Sequence, residues 1–157
     1  MPLSTVRRAV TAGALTAAVT LSLSTPALAD VGDEDVVQIK FVGITTESSG
    51  PRFLRPGDSW TTYQHLYTPE KKFAGDASSR CTAAKIERGR LTAQCTRVLR
   101  LKDGEITLHD MISRGRGERV TAKTSIAGGT GIYNDAEGEG YITLEGNRVL
   151  FDLYVDD

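Results

Sequence analysis

The stretch Cys81-Thr-Ala-Ala-Lys-Ile-Glu-Arg-Gly-Arg-Leu-Thr-Ala-Gln-Cys95 decides the fold. Glu87-Arg88-Gly89 suits a three-residue hairpin loop that ends on a left-handed glycine, a conformation a side chain would strain. Such a loop pairs Ile86 with Arg90, Ala83 with Ala93, and Cys81 with Cys95. The two sulfurs then face each other across adjacent antiparallel strands, and the chain has only these two cysteines. A disulfide is the preferred reading. Free thiols are a weaker alternative, and zinc is weaker still, because His65 and His109 are not at finger or ribbon spacing.

Outward from this hairpin the chain keeps the same texture. Short runs rich in Val, Ile, Thr, Tyr and Phe cover Val36–Gly43, Asp58–Tyr67, Ala74–Ile86, Leu91–Leu101, Glu105–Ile112, Val120–Ile126, Gly140–Glu145 and Val149–Val155. Glycine-containing turns separate them. Asp103-Gly104 and Gly146-Asn147 resemble the two-residue type I′ turns that need positive φ at both central positions. Regular short strands with tight turns imply a sandwich or barrel rather than alternating βαβ units.

The first 29 of 157 residues read as a signal peptide. Arg7 and Arg8 precede a small-apolar run from Ala12 to Leu23, and Ala27-Leu28-Ala29 offers the small-x-small cleavage pattern. That run is too short to anchor the chain, so no stable membrane insertion is expected. The mature part, residues 30–157, would be secreted. Without Arg7 and Arg8 it carries 17 Lys+Arg against 20 Asp+Glu, a net charge of −3. A basic, counterion-releasing nucleic-acid binder is excluded as the default. One domain with one core fits this length. An oxidising compartment also favours the Cys81–Cys95 bridge.

Familiar catalytic signatures are absent: no G-x-S-x-G elbow, P-loop, H-E-x-x-H or C-x-x-C occurs. Asp135-x-Glu137-x-Glu139 imitates an EF-hand start, but the twelfth position falls on Gly146, which has no carboxylate. An acidic solvated turn is the better reading, and no metal is expected. Arg114-Gly-Arg116-Gly-Glu118-Arg119 can hold a phosphate or carboxylate, although a mobile surface loop is the commoner meaning of such a run. His65 and His109 read as structural or surface histidines. Alternation puts Trp60, Thr62, Gln64 and Leu66 on one face of their strand and Tyr63, His65 and Tyr67 on the other. Gly128-Gly-Thr-Gly131 has no third glycine at nucleotide-loop spacing and no following helix pattern, so it reads as a tight backbone crossing.

The segment Ser125-Ile-Ala-Gly128-Gly-Thr-Gly131-Ile-Tyr133, followed by Ala136-x-Gly138-x-Gly140, resembles the I-x-G-G-T/S-G-x-Y/F-x-x-A-x-G signature shared by plant allene oxide cyclases and dirigent proteins. Gly57-Asp58 with Leu66-Tyr67, Cys81, and Asp103-Gly104-x-Ile106 resemble further family segments in the same order. The likeness spans about Val36 to Val155. It implies an all-β, eight-stranded antiparallel barrel with a central cavity, often trimeric, and a chemistry of cyclisation. The plant cyclases use a first-strand glutamate, a water-holding asparagine pair and a nearby proline. Here Gln38 stands in the glutamate's place, Lys40 and Gln64 in the asparagines' places, and Pro51 in the proline's. The dirigent aspartates of the second strand are replaced by Thr62-Tyr63-Gln64-His65. A bridged Cys81 cannot act as a thiol. Neither plant reaction is expected unchanged.

The resulting expectation is a secreted barrel, residues 30–157, that binds a small hydrophobic molecule and steers its cyclisation or stereoselective coupling. The alternatives are a non-catalytic ligand-binding protein and a cell-surface structural protein. The resemblance makes Gln38 and Gln64 the candidate catalytic residues, with Lys40, Pro51 and Trp60 as ligand contacts. No cofactor is called for. On the opposite alternation of the first strand, Val37, Ile39 and Phe41 pack the core, and Gln38 and Lys40 meet solvent.

Overall fold

A computed structural model describes residues 36–156, and the signal peptide expected over residues 1–29 lies outside them. Eight strands follow in chain order: β1 Val36–Ser48, β2 Ser59–Tyr67, β3 Phe73–Glu87, β4 Arg90–Leu101, β5 Gly104–Gly115, β6 Val120–Gly129, β7 Glu137–Glu145 and β8 Arg148–Asp156. Each pairs antiparallel with its sequence neighbour, and β1 pairs with β8 to close the barrel. Closure removes the exposed strand edges that an open sheet would leave. Among the described residues the only helical element is a single 3-10 turn at Gly131–Tyr133, and no helix is long and apolar enough to cross a membrane.

The hairpin register is mostly as the sequence implies. Cys81 faces Cys95, Ala83 faces Ala93, and the two sulfurs are bonded. The loop itself differs. It holds two residues, Arg88 and Gly89, both at positive φ, with Glu87 opposite Arg90. A bulge between Ala83 and Lys85 absorbs the extra residue and restores the cysteine register. The other two turns also depart from expectation. Lys102-Asp103, not Asp103-Gly104, forms the β4–β5 turn, and Asp103 is not at positive φ. Gly146-Asn147 carries positive φ only at the glycine, the arrangement of a type II′ turn.

The barrel is filled unequally. Toward the end where β1 begins and β8 finishes, Leu66, Leu99, Ile106, Leu108, Ile142 and Leu153 are fully buried and Phe151 nearly so. The β6–β7 connection laps over that end. Thr130 N–H donates to Glu105 C=O, Ile132 N–H donates to Asp103 C=O, and Ala136 is fully buried beneath. A Cβ at Gly129 would lie 2.3 Å from the Glu105 carbonyl oxygen, and one at Gly131 would lie 2.2 Å from that of Asp103. The glycine cluster is therefore a backbone crossing, as expected, packed against the β4–β5 turn at that end of the barrel.

Candidate functional site

The opposite end is where the interior turns polar. Inward positions there alternate along β2 (Trp60, Thr62, Gln64), β3 (Ser79, Cys81), β4 (Cys95, Arg97) and β5 (Asp110, Ile112, Arg114). A cavity of about 390 Å³ opens among them, with Thr45, Leu144 and Val149 on the facing walls. That is within the size range of small-molecule sites. The Cys81–Cys95 bridge forms part of the wall, opposite Trp60 in the β2–β3 register.

The cavity floor rests on an ion pair. Arg97 Nε donates to Asp110 Oδ2 at 2.6 Å and Nη2 donates to Oδ1 at 3.1 Å. The two side chains are 3% and 0% exposed. Two-point contact between guanidinium and carboxylate fixes the orientation of both groups. Asp110 is absent from the cavity wall, whereas Arg97 is on it. The bidentate pair uses two of Arg97's five N–H groups, and Nη1 makes no hydrogen bond within the described residues. Beside it, Gln64 Nε2 donates to Thr45 Oγ1 at 3.3 Å. Thr62 and Ser79 share a hydroxyl hydrogen bond of 2.6 Å. Gly43 makes room for this floor: a Cβ there would lie 3.1 Å from Gln64 Oε1 and 3.2 Å from the Phe151 ring.

Arg114 stands higher on β5, half-buried, and makes no ion pair among the described residues. Burial lowers its pKa, and the Arg97 guanidinium lowers it further. Arg114 also lines a second concavity of about 670 Å³ at the barrel mouth, formed with the β1–β2 loop, the β3–β4 turn and the start of the β5–β6 loop. Phe53 in that β1–β2 loop is 80% exposed.

The candidate residues divide between inside and outside. Gln64 and Trp60 line the cavity, and Pro51 lines the mouth. Gln38 and Lys40 do not reach the lumen, which corrects their expected placement. Gln38 Nε2 donates to Asp152 Oδ1 at 2.7 Å and to the Tyr154 hydroxyl at 3.1 Å, on the exposed outer wall. Lys40 pairs with Asp152 at 3.5 Å on the same wall. The reason is strand alternation: Phe41 and Gly43 take the inward positions of β1, so the even-numbered side chains point out. His65 packs edge-to-face against Tyr63 and Phe73 outside the barrel, and His109 is exposed. Glu139 of the acidic stretch pairs with Lys123.

Sequence reasoning missed Arg97 and Asp110. The signal was present, because Arg97 lies two residues beyond Cys95 on β4, and Asp110 sits opposite Cys95 in the β4–β5 register. Cysteines usually face inward. The bridge thus marked the lumenal face, and opposite charges fell on it.

No family model matches the sequence, and no curated protein matches it. Solved structures do match its fold. Pyocyanin demethylase superposes with a TM-score of 0.61 at 18% identity, covering 74% of this chain and 99% of that one. AbnU, an exo-specific intermolecular Diels-Alderase, gives 0.53 at 14% identity, over 75% of this chain and 95% of its own. The pterocarpan synthase dirigent protein GePTS1 gives 0.55 at 16% identity, over 87% and 98% respectively. The chain therefore folds as a barrel of the allene oxide cyclase/dirigent kind.

Proposed function

We propose that the protein binds a small, largely apolar molecule in the open half of its barrel and steers that molecule's ring closure or stereoselective coupling. The observation that carries this reading is the half-filled lumen: one end is packed solid, and the other holds an open cavity of about 390 Å³ with an ordered polar floor. Trp60, Ile112, Leu144 and Val149 supply flat and branched apolar walls. Such walls restrict a flexible substrate to few conformers, and holding it close to the reacting geometry lowers a barrier without acid–base groups. Gln64 and the free N–H groups of Arg97 can donate to a substrate oxygen on which charge develops. Solved neighbours of the same fold include a Diels-Alderase, a dirigent protein and a cyclase, which agrees with this chemistry.

A second reading is a carrier without turnover. It is favoured by one observation: among the described residues no carboxylate, imidazole or free thiol lines the cavity. Either reading suits an exported protein, and the Cys81–Cys95 bridge is compatible with an oxidising compartment. Native mass spectrometry of the protein purified from its own culture medium tests both. A bound small molecule, released on denaturation, is the expected result. Bare protein, together with no shift in melting temperature across a library of cyclic terpenoid and polyketide-like compounds, would overturn the ligand reading. Conversion of a bound acyclic precursor separates cyclase from carrier.

A further inference from the structure

The charges around the cavity are one-sided. Arg97 and Arg114 line the lumen, and Arg52, Arg114 and Arg116 line the mouth, but among the described residues no Asp or Glu lines either space. This is unexpected for a chain whose carboxylates outnumber its cations. Asp110 neutralises Arg97 from behind, and nothing does the same for Arg114. A half-buried guanidinium without a counter-charge costs desolvation energy that a bound anion would return. Arg97 adds a second element. Its residue is 2% exposed, its orientation is locked by Asp110, and its unused N–H groups belong to a side chain on the cavity wall. A locked buried donor on β4 and an unpaired cation on β5, where apolar Ile112 stands between Arg114 and the Asp110 that locks Arg97, form a site for an oxyanion carried on an apolar body.

We infer that the lumen's ligand is an amphipathic organic anion, a carboxylate in chemical class, whose charged group is held by Arg114 and the free N–H groups of Arg97. This rests on the lumen being the ligand site. The arginines at the mouth then act in the approach as well, because a cleft lined by one sign of charge concentrates ligands of the opposite sign. Depression of the Arg114 pKa by burial and by Arg97 agrees with a cation held in an unfavourable field until an anion arrives.

The test compares acids with their neutral counterparts. Naphthoate, phenylbutyrate and octanoate are each titrated against the corresponding primary amide by calorimetry, with emission of Trp60, the only tryptophan, as a second readout. Each acid is expected to bind about tenfold or more tightly than its amide, the scale of one charge-assisted contact. Arg114→Leu should abolish that preference with a melting temperature no lower than the native protein's, and Arg114→Lys should keep part of it, having charge without the planar fork. Inorganic phosphate should leave naphthoate bound. Equal affinity for acid and amide in the native protein overturns the inference while leaving the lumen as a binding site. A preference that survives Arg114→Leu overturns the assignment to Arg114. Full displacement by phosphate overturns the amphipathic assignment, and binding of neither acid nor amide overturns the lumen reading itself.

Discussion

Removing Asp110 should cost far more than removing the whole ion pair. In Asp110→Ala the Arg97 guanidinium keeps its place beside a small hole, surrounded by side chains that leave it 3% exposed. Breaking a buried pair from one side leaves an uncompensated charge and costs about 3–5 kcal/mol. Against a total stability of about 5–15 kcal/mol, that is a large fraction. An unfolding entropy of about 2.1 cal/mol/K per residue, over roughly 120 residues, converts 4 kcal/mol into a fall of about 15 °C in Tm. The double variant Arg97→Met/Asp110→Leu removes both charges and fills the volume with apolar atoms. It should recover most of that loss, or exceed the native protein, because the desolvation of both ions is relieved. The assay is urea unfolding with thermal melting of the native protein and both variants. If Asp110→Ala costs less than about 1 kcal/mol, Arg97 has swung into the cavity and found water, and the locked floor described above is wrong.

Four further outcomes are expected. Thiol labelling under denaturing conditions without reductant should find no free cysteine, and the paired Cys81→Ala/Cys95→Ala variant should lose roughly 3 kcal/mol, the chain-entropy value for a 15-residue loop; quantitative labelling refutes the bridge. Gln38→Leu should change stability by no more than about 0.5 kcal/mol and leave ligand retention intact, since its amide bonds only exposed outer-wall groups; loss of ligand would return Gln38 to the lumen. Phe151→Ala at the packed end should cost about 3–5 kcal/mol, read by denaturant midpoint, whereas an effect below about 1 kcal/mol would mean that end is loosely packed. Asp76 is held below the ordinary carboxyl range, chiefly by its hydrogen bonds from Arg100. Its folded pKa being depressed, its contribution is present above the unfolded value of about 3.9 and fades as pH falls below it. Acid titration should therefore destabilise the native protein more than Asp76→Asn across that window, and parallel curves would refute the linkage.

The fold was more legible than the site, for a physical reason. Strand patterning and turn chemistry are local, so each hairpin announces itself. The Cys81–Cys95 pairing needed only its own hairpin and survived a misjudged turn, because one bulged residue compensates a loop one residue shorter. The glycine run at 128–131 was readable as a crossing, and Gly129 and Gly131 do lie against backbone, while Gly128 serves by its positive φ. Which face of β1 points inward is a different kind of question. Gln38 and Lys40 alternate with Val37, Ile39 and Phe41, and local pattern is satisfied either way. Burial argued for the apolar set, and the resemblance to the plant cyclases argued for the polar one. Burial won, because the inward carboxylate of Asp110 is already committed to Arg97, whereas outside Lys40 has Asp152. Arg97 went unnoticed for the converse reason: a charge at an apolar position reads as a solvent-facing residue until its partner, 13 residues away on the next strand, is placed beside it.

The polar lining of the open half has a consequence for how the barrel can stand without ligand. Empty apolar space inside a fold is costly, because the side chains that line it lose packing partners. A lumen lined throughout by leucine and valine would either collapse or have to be filled by side chains, as the packed end is. Thr45, Thr62, Gln64, Ser79 and Arg97 instead offer hydrogen-bonding partners, so water can occupy the space at little cost. The same residues then set the terms of binding. A ligand must displace that water and replace its hydrogen bonds at the floor, while the apolar walls of Trp60, Ile112 and Leu144 reward the rest of its surface. A purely hydrocarbon guest would leave Arg97 and Gln64 unsatisfied, and a purely polar one would gain nothing from the walls. On the proposed reading, the division of the barrel into a packed end and an open polar end favours an amphipathic occupant.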